Sequence, residues 1–260
     1  MNVVDHYADA AAGWATAAAR VYGPLAVALV RRSPHPLRAR LVLDAGAGTG
    51  CGSEALAACG AHALATDLSA DMLHYRRGER PPSVVADITR LPMTPSSVDD
   101  AIAPFVLNHL ARPERALAEL GRVVRPGGAV LASVYANSST SAARDRIDEV
   151  AQAFGFAFPD WYRELKETLA MAIGTAAALA AVGSAVGLRV RVEEAAVDVG
   201  VHRADELVDY RLSQAQFTSW TASLTDERRR QVERAAVAAV EPVMEPYCPV
   251  VLFLVGTAGG

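Results

Sequence analysis

LVLDAGAGTG, residues 41–50, joins a short apolar run to an acid and then to three glycines at alternate positions. Leu41, Val42 and Leu43 suit a buried strand, and the glycines suit a tight turn into a helix. A glycine-rich turn at such a junction lets a ligand approach the backbone closely, because no Cβ stands in the way. In doubly wound sheets, ligands lie at the carboxyl ends of the strands, so this turn marks one wall of a site. Its spacing is G-x-G-x-G (Gly46, Gly48, Gly50), with Asp44 two residues ahead. A dinucleotide fingerprint wants its third glycine one residue later, where this chain has Cys51, and the Gly-Lys-Ser/Thr of a P-loop does not follow.

Outward from this turn, strands and helices alternate. A helix over 53–59 ends at Gly60, a C-cap. A second strand, 61–66, leads to Asp67, and Ser69 caps a helix over 70–77. A third strand, 83–86, ends at Asp87. The fourth strand covers 100–106, a helix with Pro113 in its first turn covers 113–124, and the fifth strand covers 128–135. This alternation predicts βαβ units and a parallel sheet whose strands are apolar on both faces. Upstream, 5–30 reads as helical, kinked or restarted at Pro24, and 31–40 as a linker. Downstream, 138–187 is mainly helical, 188–199 alternates like a strand, 203–239 is helical and 248–255 is a last strand. The expected organisation is an N-terminal helical cap over 1–40. One domain follows over 41–260, with helical insertions at about 138–187 and 203–245.

Composition narrows the function classes. The chain has 260 residues, 52% hydrophobic and 21% charged, with a net charge of -4. A mildly acidic chain presents no nucleic-acid footprint. The arginines at 31, 32, 38 and 40, and at 228–230, read as a solvated loop and a solvated helix face. Cys51, Cys59 and Cys248 form neither a disulfide framework nor a metal-ligand spacing. No run is apolar for long enough to span a membrane, and the opening MNVVDHYADA lacks signal-peptide character. The expectation is a cytoplasmic monomer or homodimer without metal, membrane or nucleic-acid partners, its N-terminal helix free to pack on a second chain.

Asp67 lies about twenty residues after the glycine turn, where an acid can accept both hydroxyls of a ribose, as in NAD enzymes. Asp87 and its neighbouring amide can read an adenine edge. Three strand-end acids beside one glycine turn point to a ligand site.

In LDAGAGTG, ATDLSADML, VVADITRLP, VDDAIAPFVLNHL and RPERALAELGRVVRPGGAVLASV, residues 41–135 resemble the class I S-adenosylmethionine-dependent methyltransferases. The last segment resembles the small-molecule branch that includes quinone-biosynthesis enzymes. The resemblance implies a Rossmann-like, doubly wound, mostly parallel seven-stranded α/β sheet with its last strand antiparallel, plus helical lid insertions. It implies S-adenosylmethionine as cofactor and S-adenosylhomocysteine as product. Asp44, Gly46, Gly48 and Gly50 would shape the pocket for the methionine part. Asp67 would bind the ribose, with Leu68 and Met72 against the adenine, and Asp87 and Ile88 would recognise the adenine amino group and ring. Pro104 and Phe105 would sit beside the sulfonium, and Tyr7 and Trp14 resemble N-terminal aromatics that close over the cofactor.

His109 is the candidate general base, although the Asn-His-Leu signature also serves to pack its loop. Tyr135, Trp161, Tyr162, His202, Tyr210, Arg211 and Gln214 are the candidates for the acceptor site. The Asp/Asn-Pro-Pro-aromatic motif of enzymes that methylate base or amide nitrogens is absent after strand four. The expected reaction is methyl transfer to an O, N or C nucleophile of a small, partly hydrophobic molecule, in the manner of secondary metabolism. The alternatives are a cyclisation or rearrangement on the same scaffold, a protein or RNA methyltransferase, and a non-catalytic cofactor-binding subunit.

Overall fold

The computed structural model describes residues 17–258. The strands are β1 (Leu41–Ala45), β2 (His62–Asp67), β3 (Ser83–Val85), β4 (Asp100–Pro104), β5 (Ala129–Tyr135), β6 (Arg189–Ala196) and β7 (Val250–Thr257). They form one sheet in the order β3-β2-β1-β4-β5-β7-β6. The first five pair in parallel, and β7 inserts antiparallel between β5 and β6. The order reverses between β1 and β4, so their crossovers leave in opposite directions and open a crevice at their carboxyl ends. The glycine turn stands at that end of β1.

Helices cover both faces. On one face lie α1 (Ala19–Val30) and α2 (Cys51–Ala58), which bury Leu25, Leu29 and Leu56 in a core shared with Ile102, Leu131 and Phe253. On the other lies α4 (Pro113–Val123), following the short α3 (Ala70–His74). In α4 the buried Ala116, Leu117, Leu120 and Val123 fall on one helical stripe. Full burial of Leu117 and Leu120 stabilises the fold by roughly 2 kcal/mol each. After β5 come α5 (Ala142–Ala153), α6 (Asp160–Glu164), α7 (Ala170–Ile173) and α8 (Ala176–Ala185). Between β6 and β7 run α9 (Ala204–Leu212), α10 (Ala215–Ser223) and α11 (Asp226–Val240).

Several expectations are corrected. The helix α1 runs through Pro24 without a break, held by its buried stripe Val21, Leu25 and Leu29, and it packs into the core rather than standing free. The strand β3 is not apolar-buried: it is the sheet edge, and Val84 and Val85 are exposed. The other edge strand, β6, is also only half covered. The linker is strapped to the sheet rather than merely solvated, because the fully buried Asp100 accepts from Arg40 (2.5 Å) and the Ala129 amide (2.7 Å) and pairs with His35 (2.8 Å). Arg32 likewise pairs with Glu193 at 2.6 Å. Among the described residues no single helix is long and apolar enough to cross a membrane.

Candidate active site

The turn after β1 is held from two sides. The amides of Gly46 and Ala47 both donate to the Thr66 carbonyl at the end of β2, at 2.8 and 2.9 Å. Gly46 has φ 73°, and a Cβ there would lie 2.7 Å from a Val106 methyl, so both conformation and space demand glycine. At Gly48 (φ 51°) a Cβ would meet nothing within 4 Å. Its open side faces a cavity. The Gly48 amide donates to Asp67 Oδ2 (2.8 Å), and the Ser69 amide donates to Asp67 Oδ1 (2.9 Å). Burial raises the Asp67 pKa, and these two amides oppose the shift. Each carboxylate oxygen keeps acceptor capacity for a further hydroxyl.

Asp44 takes a different place from the one expected. It lies inside β1 and is fully buried, so it cannot line the cavity. Its Oδ2 accepts from Ser53 Oγ at 2.7 Å, tying β1 to the first turn of α2, and its Oδ1 finds no partner among the described residues. Burial pushes its pKa up to about 6, against the Ser53 hydrogen bond. Gly52 makes room for it, since a Cβ would fall 2.5 Å from Asp44 Oδ1. Gly50 (φ 112°) faces away from the cavity, against the Arg80 guanidinium. Arg80 is a residue that sequence reasoning missed. Its Nη1 donates to the carbonyls of Gly48 (2.9 Å) and Met72 (2.6 Å), locking the turn to α3. Its charge lies near both Asp44 and Asp67.

The cavity, about 370 Å³, lies at the switch point and is of a size that holds a small ligand. Gly46, Gly48, Asp67, Leu68, Met72, Asp87, Ile88, Pro104, Phe105, His109 and Tyr135 all line it. Met72 and Ile88 are buried and Leu68 is exposed, so the three give an apolar slot with an open lip. Asp87 stands beyond β3, and its Oδ1 accepts from the Thr89 amide (2.8 Å) and hydroxyl (2.7 Å). Phe105 has φ 54°, a left-handed conformation that a bulky residue seldom holds without support. Its amide donates to Ser133 (2.9 Å), and its ring packs on Tyr135 (4.7 Å) and edge-on to Tyr22 (5.3 Å). Tyr22, from α1, also lines the cavity and was not foreseen; its only sequence signal was an aromatic beside the Val21 stripe. Burial pulls the His109 pKa down to about 4.

The other candidates lie elsewhere. Tyr210 is buried behind Tyr135, their hydroxyls 3.4 Å apart, and accepts from Gln214 Nε2 at 3.1 Å. Arg211 donates to both carboxylate oxygens of Asp148 (2.8 and 2.6 Å), to the Tyr162 hydroxyl (3.3 Å) and to Gln214 Oε1 (2.5 Å). Trp161 stands beside Tyr162, ring centroids 5.7 Å apart. None of these five lines the cavity. His202 is corrected more sharply: it is exposed and pairs with Asp198 (2.9 Å), a loop contact that keeps it out of the cavity. Tyr7 and Trp14 lie outside the described residues. Among the described residues no group of three or more His, Cys, Asp or Glu side chains could hold a metal.

Residues 43–132, β1 through β5, match a family model described as a methyltransferase domain. Over these 90 of the 260 residues the chain is similar to a methyltransferase domain. The chain is 40% identical over 105 residues to the demethylmenaquinone methyltransferase of Clavibacter sepedonicus, a match covering 38% of this chain and 43% of that one. The alignment therefore spans less than half the length of this curated relative. Among solved structures, a Haemonchus contortus phosphoethanolamine N-methyltransferase in complex with phosphomonomethylethanolamine and S-adenosylhomocysteine aligns with TM-score 0.59 and 16% identity, over 91% of this chain and 52% of that one. The cyclase SpnF aligns with TM-score 0.57 and 18% identity, over 92% and 82%. At these identities the two structures speak for the fold of the methyltransferase domain and for nothing finer.

Proposed function

We propose that this chain transfers the methyl group of S-adenosylmethionine to a small, partly hydrophobic molecule and releases S-adenosylhomocysteine. The observation that carries the reading is the rim of the cavity. Asp67 and Asp87, from the ends of adjacent strands, flank the apolar slot of Leu68, Met72 and Ile88, beside a turn whose Gly48 leaves its Cβ space empty. Two carboxylates and an apolar slot match the hydroxyls and flat ring of an adenosine. The open glycine backbone leaves room for the amino-acid end. In this reading Asp67 takes the ribose hydroxyls, Asp87 the adenine edge, and the Gly46–Gly48 backbone the methionine portion.

When bound, the cofactor supplies a methyl group already activated on a sulfonium, so the protein's task is placement. Phe105, Tyr22 and Tyr135 give the cavity an aromatic wall that holds water off on their side. His109 is neutral at pH 7 but only weakly basic, because burial holds its pKa near 4. The phenols of Tyr22 and Tyr135 are shifted up by burial. A general base works best with a pKa near the working pH, and neither His109 nor these phenols meet that condition. The acceptor therefore brings its own lone pair or ionises in water before it binds. The helical segments at about 138–187 and 203–245 line none of the cavity and instead back its aromatic wall, which suits a partly apolar acceptor.

The absence of a poised base among the described residues that line the cavity also favours a second reading: a base-free cyclisation or rearrangement on the same cofactor-binding scaffold. The two separate by product mass, since methyl transfer adds one methyl group and rearrangement adds nothing. The cofactor reading itself is tested by calorimetric titration with S-adenosylhomocysteine. It expects one site per chain with an affinity in the micromolar range or tighter; no binding overturns it.

A further inference from the structure

Behind the tyrosine wall, positive charge gathers without enough negative charge to match it. Arg144 on α5, Arg211 on α9 and Lys166 just after α6 all act on the Tyr162 hydroxyl. Burial alone would raise the Tyr162 pKa, yet these three cations outweigh it and bring the phenol below its ordinary value. Arg211 is matched by Asp148, which holds it with two hydrogen bonds. Arg144 and Lys166 form no ion pair among the described residues. Among the described residues the Arg144 guanidinium hydrogen-bonds the Tyr247 hydroxyl (3.2 Å), and its Nε is shut off from solvent with no hydrogen-bond partner. A lysine in such a place can shed its charge by giving up a proton, but an arginine cannot. A half-buried guanidinium whose Nε donor is idle calls for an anion.

The cluster backs the cavity wall, to which a chain of side-chain contacts joins it. Tyr135 lines the cavity and meets Tyr210 at 3.4 Å between hydroxyls, and the Tyr210 ring packs on Tyr247 at 5.8 Å, which Arg144 contacts. A second path runs from Tyr210 through Gln214 to Arg211 and Tyr162. Both paths lead away from the glycine turn, on the side of the helical insertions.

We propose that Arg144, with Lys166 and the Tyr162–Arg211 pair, is an anion-recognition subsite for an acceptor carrying a carboxylate or phosphate at the end remote from its methyl-accepting atom. This rests on the methyltransferase reading for the word acceptor, but the subsite can be tested without it. The experiment is an NMR titration of the full chain, saturated with S-adenosylhomocysteine, using benzoate, phenyl phosphate and the neutral benzyl alcohol as probes. The expected result is saturable binding of at least one anion, at least tenfold tighter than benzyl alcohol, with the tighter anion assigning carboxylate or phosphate. Arg144→Gln should weaken that binding at least tenfold and Lys166→Gln about threefold, while Arg144→Lys recovers part of it. Affinity for S-adenosylhomocysteine should stay within twofold in all three variants. If Arg144→Gln does not fold, Lys166→Gln, at an exposed position, and the wild-type comparison of benzoate with benzyl alcohol still decide. Equal binding of charged and neutral probes, no anion binding, or variants that bind anions like the wild type would overturn the proposal. Failure of S-adenosylhomocysteine to bind the wild type would instead strike the cofactor reading, and the anion titration of the free protein would still stand.

Discussion

The rim of the cavity and the wall that faces it are built by different means. The rim comes from backbone: β1, β2 and β3 end side by side, and their following turns aim amides, carboxylates and open glycine space at one point. The wall comes from side chains of distant elements, Tyr22 from α1, Phe105 after β4 and Tyr135 from β5, backed by Tyr210, Tyr247 and the Arg211 network. A rim made by strand order changes little while the sheet persists. A wall made by packed helices can change its chemistry by single substitutions, which is where a family would diversify its acceptors.

This contrast can be broken in order of effect. Arg211→Ala removes one partner of a buried ion pair and leaves Asp148 unpaired. It should cost about 3–5 kcal/mol of stability in urea unfolding, while the folded variant binds S-adenosylhomocysteine nearly as the wild type does. A large loss of cofactor affinity would show that wall and rim are one unit. Asp44→Asn should act on stability through pH. The folded-state pKa of Asp44, about 6, lies above its ordinary 3.8, so the folded protein binds a proton that the unfolded chain has lost. Wild-type stability therefore falls as pH rises from about 4 to about 6 and levels off above. The asparagine variant should lack up to about 3 kcal/mol of that fall. Parallel curves for the two proteins would show that Asp44 is ionised in the fold throughout.

Asp67→Ala should spare much of the stability but cost roughly 2–3 kcal/mol of S-adenosylhomocysteine affinity, some 30- to 150-fold by calorimetry. An unchanged affinity would remove Asp67 from the ribose role. His109→Gln is the smallest. Both side chains are neutral at pH 7, so kcat should stay within about threefold and its pH profile should keep its shape. A hundredfold loss, together with disappearance of a limb in that profile, would restore His109 as the base.

The same division explains what could be read from the chain. The rim was legible because its signals are local: three glycines at fixed spacing, Asp67 about twenty residues on, Ser69 as a cap, and Asp87 after a short β-branched run. Asp44 misled because its spacing to Gly46 is right for the motif, yet only three dimensions show that its carboxylate turns inward to Ser53 and Gly52. Arg80 escaped notice because its contacts with Gly48 and Met72 cross 32 and 8 positions and carry no pattern. Tyr22 and the Arg144 cluster arise where α1, α5, α9 and the turn before β7 meet, and no periodicity announces such a meeting. The exposed β3 shows the opposite error, since Val84 and Val85 read as core until strand order puts them on the edge.

The most direct test of the account is a crystal structure of the chain grown with S-adenosylhomocysteine. The ribose hydroxyls are expected on Asp67, the adenine between Met72 and Ile88 beside Asp87, and the amino-acid end over Gly46 and Gly48. The sulfur should face the Tyr22, Phe105 and Tyr135 wall. Density for the molecule at any other place, or a well-ordered cavity that stays free of it at saturating concentration, would contradict the account.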